Sequence, residues 1–266
     1  MRIFICLLCL SLTLLSQDVY RFGVFPHMPA KKLFDVYSSV ASDLEKEAGK
    51  PFVLMTKPYY KLYKNELDKG VYDIAFVQPF DYIDVRKKQG YIPIARRSED
   101  LKAVLVVAKA SKYRDIDSIR NKVVASAPST AAVTRMMIKE LRDTSGQGLD
   151  DFTISYSKNH FVCLNKIVNS EAVACITARR AVAYYNQVHK TDNFRIIHET
   201  QALPHALFVV HPRVSERVRE LLQERIVRWH EDEQGRLILK KGNLLIFKKT
   251  DDREYDAVRE FAKSVR

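Results

Sequence analysis

Val123-Val124-Ala125-Ser126-Ala127-Pro128-Ser129-Thr130-Ala131-Ala132 runs from a β-branched segment through a short turn into an apolar-periodic stretch. The branched run reads as a strand, and the spacing from Ala131 to Leu141 predicts a helix. Ser129 and Thr130 then stand at the helix start, where the first backbone N–H groups have no partner within the helix. With the positive end of the helix dipole behind them, these hydroxyls and N–H groups suit a small oxyanion. Taken alone, the motif is read more simply as an ordinary N-cap. The rest of the chain decides between the two.

The same strand–turn–helix unit recurs along the sequence, which predicts an α/β protein. Before the quoted stretch, strands are expected at Val19–Phe25, Phe52–Met55, Asp73–Val77 and Ile92–Ala95. Helices are expected at Leu33–Ala48, Tyr60–Leu67 and Asp81–Gln89. After it come strands at Phe152–Tyr156, Ala172–Thr177 and Arg195–His198, with helices starting at Phe161 and Ala178. A helix at Val214–Trp229 and a last one from about Tyr255 follow. Asp81 reads as a helix cap and Trp229 as a core residue.

Two long apolar strands, at 101–108 and 206–211, bracket a middle block. If both cross between domains, the chain folds as two α/β lobes. Residues 17–102 plus 206–266 form one lobe and 103–205 the other. Ligands in open α/β sheets bind beyond the carboxyl ends of the strands. The turns Pro26–Pro29, Gln78–Asp81, Ala127–Thr130 and Lys158–His160 would then face one cleft, closed by hinge motion.

Residues 1–16 read as a cleavable secretory signal peptide. Arg2 supplies the positive end and Ile3–Leu15 a nearly unbroken apolar stretch, too short to span a bilayer comfortably. Export leaves two of the four cysteines, Cys163 and Cys175, which in an oxidising compartment form either a disulfide or two buried thiols. The net charge of +12 falls to +11 when Arg2 leaves with the signal. Its basic residues are scattered rather than gathered into a stripe, and no zinc-finger or RNA-binding signature is present, so nucleic acid is not an expected partner. A positive field does favour encounter with small anions. No metal or cofactor is expected, because no paired Cys or His spacing occurs.

Several segments, in order and spacing, resemble one family. They are Phe22-Gly23-Val24-Phe25-Pro26, the Tyr59-Tyr60 helix start and Gly70 to Tyr82. Ala125–Thr130, His160 with its helix, Asn169–Ala174, Leu203-Pro204-His205 and Asp251–Arg259 complete the set. Together they resemble the periplasmic phosphate/phosphite/phosphonate-binding proteins of ABC transporters, over nearly all of the chain after the signal. That resemblance implies a two-lobed periplasmic-binding-protein type II fold with crossover hinge strands. It also implies a ligand set in which Ser129 and Thr130 hold the phosphorus-bound oxygens. Tyr60 (or Tyr59, one position away), Tyr82 and His160 would reach the same group. His27 and Gln78 line the cleft in this reading, and His205 or Arg179 adds a donor. Ala131 replaces a third hydroxyl residue of the family. The acidic residues that hold a ligand amine are missing, with Thr177-Ala178-Arg179 and Pro204-His205 in those stretches.

The expected function is therefore capture of a small anionic ligand by a monomer, for delivery to a membrane permease. Two other readings share the scaffold: a sensor module for a membrane kinase, and a binder of an unrelated small ligand. Enzymatic turnover is not expected, since the cleft turns offer no Ser/His/Asp order and no paired carboxylates.

Overall fold

The computed structural model describes residues 19–28, 30–144, 149–244 and 246–264. The expected signal peptide and Pro29 lie outside these residues. The first lobe is built from β1 (Tyr20–Val24), α1 (Ala30–Ala48), β2 (Phe52–Met55), α2 (Tyr60–Asp68), β3 (Ile74–Val77), α3 (Pro79–Gln89) and β4 (Ile92–Arg97). The second contains β5 (Ala103–Ala108), β6 (Lys122–Ser126), α4 (Ala132–Thr144), β7 (Phe152–Tyr156), α5 (His160–Val168), β8 (Ala174–Ala178), α6 (Arg179–His189) and β9 (Phe194–Glu199). The chain then returns to the first lobe with β10 (Leu207–Val210), α7 (Glu216–Val227), α8 (Glu233–Gly242), β11 (Phe247–Lys249) and α9 (Asp256–Ser264).

The two sheets repeat one topology. The first has the order β11-β4-β10-β3-β1-β2 and the second β7-β6-β8-β5-β9. In each, three neighbouring strands run parallel: β2, β1 and β3 in the first lobe, β7, β6 and β8 in the second. One antiparallel strand follows next to them, β10 or β5, and β4 or β9 pairs with it in turn. All four residues of β3 and of β10 are buried, as central strands covered by helices on both faces must be. Gly23 in β1 lets the Tyr72 ring close over the strand, since a Cβ there would lie 2.4 Å from that ring.

The long strands expected to cross between the lobes are not themselves the crossings. The strands at 103–108 and 207–210 do not cross; each is wholly inside one sheet. The crossings are the extended segments just before them, which touch through an antiparallel bridge between Leu101 and Leu203. Leu101 N–H donates to Leu203 O at 2.7 Å, and Leu203 N–H returns the bond at 3.0 Å. An apolar strand buried on both faces has to be flanked by strands and covered by helices, so it cannot serve as an open connector. The α8 helix and β11, both absent from the sequence reading, pack on the first lobe.

Ion pairing and a disulfide pin three of the helices. Buried Asp43 on α1 accepts from Arg225 at 2.8 and 2.9 Å and from the Trp229 indole at 2.7 Å, which ties α1 to α7. In the second lobe Cys163 and Cys175 are disulfide-bonded, with Cα atoms 5.8 Å apart. Of the two states left open by the sequence, the disulfide is the one formed. One apolar core runs from Tyr63 and Val77 in the first lobe through Leu101 to Val133 and Met136 on α4. Burying each such side chain contributes about 1.5–3 kcal/mol. Among the described residues no helix is long and apolar enough to cross a membrane.

Candidate ligand-binding site

Strands β1, β3, β6 and β8 direct their carboxyl ends toward the boundary between the lobes, where a cavity of about 600 Å³ opens. The first lobe lines it with His27 after β1, Gln78 after β3 and Arg97 at the end of β4; His205 comes from the return crossing. The second lobe contributes Ala132 and Val133 from the start of α4, His160 from the start of α5 and Arg179 and Arg180 from α6. Helix N-termini thus meet imidazoles and guanidinium groups around one space, which favours a negatively charged occupant.

The α4 N-terminus is one link between the lobes. Gln78 accepts the Ala132 N–H at 2.9 Å and donates to Thr130 O at 3.2 Å. The side chain of the first lobe therefore takes one of the free donors of the helix. Ala131 N–H is held by Pro128 O at 2.8 Å, which closes the turn that carries Ser129 and Thr130.

Each cleft histidine is held by a defined partner. His160 shares a 2.7 Å hydrogen bond between Nδ1 and the Thr177 hydroxyl, at the end of β8. Asn159 caps the same helix by accepting Val162 N–H at 2.9 Å. His27 Nδ1 lies 2.8 Å from Phe25 O. A carbonyl only accepts, so the neutral His27 ring carries its proton on Nδ1 and presents Nε2 as an acceptor. His205 is the reverse: its Nδ1 accepts Ala206 N–H at 2.7 Å, which leaves the proton on Nε2 as a donor. Burial lowers the pKa of His27 and of His160 from 6.5 to about 4, Arg97 adding to the effect on His27. Burial, then Arg97, holds His205 well below the usual range. At neutral pH all three rings are uncharged, and the arginines and lysines of the lining carry the positive charge of the cavity.

A family model for the periplasmic substrate-binding proteins of phosphonate ABC transporters matches residues 22–255. The chain belongs to that family. Phosphonate ABC-transporter binding proteins are periplasmic transport components, and solved structures share the fold. The Prochlorococcus marinus protein PhnD1, in complex with methylphosphonate, superposes with a TM-score of 0.82 at 16% identity, covering 94% of this chain and 99% of that one. A binding component of a Pseudomonas aeruginosa phosphonate transporter gives 0.78 at 13% identity, covering 93% and 86%. A Xanthomonas citri protein bound to ATP gives 0.71 at 13% identity, covering 93% and 96%. No curated protein sequence matches the chain.

In this phosphonate-family protein the expected ligand residues divide into two groups. His27, Gln78, His160 and His205 line the cavity. Tyr59 does not: it precedes α2 with 71% of its surface exposed. Tyr82 is a correction too. Its ring is fully buried edge-on to Tyr255, and its hydroxyl donates to Asp252 at 2.6 Å, because a phenol in the core needs an acceptor there. Tyr60 gives its hydroxyl to the Asp81 carboxylate, whose pKa burial raises from 3.8 to about 6. Asp81 is thus not the helix cap; that position is Gln78. Ser129 and Thr130 are exposed on the turn and outside the cavity lining, where Ala132 and Val133 stand instead.

The residue missed by the sequence reading is Arg97. Two-residue alternation sends the Arg96-Arg97 pair to opposite sides of β4. Arg96 is buried against Glu254 at 2.7 Å and Asp100 at 2.9 Å. Arg97 faces the cavity. The adjacent basic pair was visible in the sequence, but which member pointed into the cleft depended on strand register. A second depression, of about 500 Å³ between α1 and α7, is lined by Arg225, Arg228, Glu231 and Asp232, which are paired with one another.

Proposed function

We propose that this binding protein captures a small phosphorus oxyanion (phosphate, phosphite or a phosphonate) between its lobes and hands it to a membrane permease. It acts as a monomer, after export by a cleaved signal spanning residues 1–16, and binds without turnover. The observation that carries this reading is the convergence of the α4 N-terminus and His160, at the start of α5, on one interlobe cavity. Family membership and the methylphosphonate held by a similarly folded protein support the same ligand class. In this reading Ser129 and Thr130 supply hydroxyl and N–H donors from the rim as the lobes close over the ligand.

Calorimetric titration with phosphate, phosphite, methylphosphonate, 2-aminoethylphosphonate and sulfate tests the proposal. At least one phosphorus oxyanion should bind. Ser129→Ala or Thr130→Ala should weaken it by about 1–3 kcal/mol, the usual cost of losing a hydrogen bond to a charged group. Failure of every phosphorus oxyanion to bind would overturn the function.

A further inference from the structure

Arg97 is a cation with no ion-pair partner among the described residues, although the charge of Glu99 reaches it from the same cleft. Its Nε is buried and has no hydrogen-bond partner, and among the described residues no carboxylate lies within ion-pair distance of it. Its guanidinium carbon lies 5.5 Å from the Phe76 ring centroid, a cation–π contact that uses the face of the group and not its N–H donors. The other basic residues of the cavity are engaged. Arg179 and Lys102 both pair with Glu199, the latter at 2.7 Å. Arg180 lies 3.7 Å from Glu99, and Lys241 and Lys32 lie 3.0 and 3.9 Å from Asp35. The acidic residues of the cavity, Glu99 and Asp100, are likewise committed, to Arg180 and Arg96.

A half-buried guanidinium whose Nε is shut off from water and unpaired costs free energy unless something anionic completes it. Beside it the Tyr37 hydroxyl, close enough to feel its charge, is a second buried polar group without a partner. His205, with its proton on Nε2, adds a donor on the same side. These groups lie in the first lobe, whereas the phosphorus-oxyanion site proposed above is centred on the α4 N-terminus of the second. The cavity of about 600 Å³ has room for about twenty water-sized shares, far more than a methylphosphonate fills.

We propose that Arg97, with His205, forms a second anion subsite, so that the ligand carries an acidic group at each end: a phosphorus oxyanion against the second lobe and a carboxylate or second phosphoryl group against Arg97. This rests on the phosphorus-oxyanion reading and narrows it to doubly acidic ligands. It also explains the missing acidic partners for an amine: the end of the cleft that would read a substituent offers a cation instead.

The test is calorimetric titration of the purified protein with phosphonoacetate, methylphosphonate and 2-aminoethylphosphonate. Phosphonoacetate should bind at least about ten-fold tighter than either of the others. Arg97→Met should erase that preference while changing methylphosphonate affinity by less than about three-fold, and Arg97→Lys should keep part of it. Thermal unfolding of both variants checks that they are folded, and the Lys variant carries the test if the Met variant is not. Equal affinities for phosphonoacetate and methylphosphonate would overturn the subsite and leave the phosphorus-oxyanion reading standing. So would an Arg97→Met variant that weakens all three ligands by one factor. Absence of binding by all three would instead remove the reading on which the subsite rests.

Discussion

The side-chain oxygen of Gln78, in the first lobe, accepts the backbone N–H of Ala132, in the second, at 2.9 Å. A single amide thereby spans the boundary between the lobes, since its nitrogen also donates to Thr130 O at 3.2 Å. The bond satisfies a donor at the start of α4 that the helix cannot satisfy itself.

Gln78→Leu should therefore loosen the contact between the lobes. The substitution leaves the Ala132 N–H buried and unpaired, at a cost of about 1–3 kcal/mol. Small-angle scattering should show a larger radius of gyration for the variant, and ligand affinity should fall by about ten-fold. An unchanged radius and affinity would show that Gln78 does not join the lobes.

The disulfide should act on the second lobe. Cys163 and Cys175 are separated by 12 positions, and they join α5 to β8, the two elements that hold His160 against Thr177. Loop-closure entropy for such a ring gives about 3 kcal/mol. Urea unfolding with and without reductant, or of the Cys163→Ala/Cys175→Ala double variant, should show a loss of that order.

Stability should fall on acidification between about pH 6.5 and pH 4. His27 and His160 have folded-state pKa values near 4, below the unfolded 6.5, with His205 shifted the same way. In that window the unfolded chain binds more protons than the folded one, so stability rises with pH and the neutral rings' contribution is lost as pH falls. Asp81 opposes this. Its raised folded-state pKa of about 6, against 3.8, makes the folded chain take up the proton first as pH drops. With three histidines against one aspartate the net slope should be positive. Urea midpoints measured from pH 7.5 to 4 check the sign, and His27→Gln should flatten the curve.

Asp43→Ala should be among the most destabilising single changes in the first lobe. Asp43 is 4% exposed and satisfies both Arg225 and the Trp229 indole. Its removal leaves a partly buried guanidinium short of a partner, and a loss of about 3–5 kcal/mol is expected. Trp229 fluorescence during urea unfolding reads it directly.

Much of this architecture was legible along the chain because it is local. The Phe52–Met55 and Phe152–Tyr156 strands form with the expected bounds, and the Ala131–Leu141 spacing yields the Ala132–Thr144 helix. Burial on both faces marks β3 in its composition alone. The α8 helix and β11 were not seen, since the short tail strand exists only by pairing with β4. Tyr60 and Tyr82 looked alike at helix starts. Their hydroxyls went to Asp81 and Asp252, and the second of these acceptors lies 170 positions away in sequence.

By itself, then, the sequence determined the alternating α/β order, the turns that end the parallel strands and the likeness to phosphonate-binding proteins. These follow from periodicity, capping chemistry and segments read in succession. Only the tertiary structure decided which crossings join the lobes, that Cys163 and Cys175 are bonded, and that Arg97 rather than Tyr82 faces the cleft. The physical reason is that strand register and helix packing set the direction of a side chain, and both depend on partners far away in the chain.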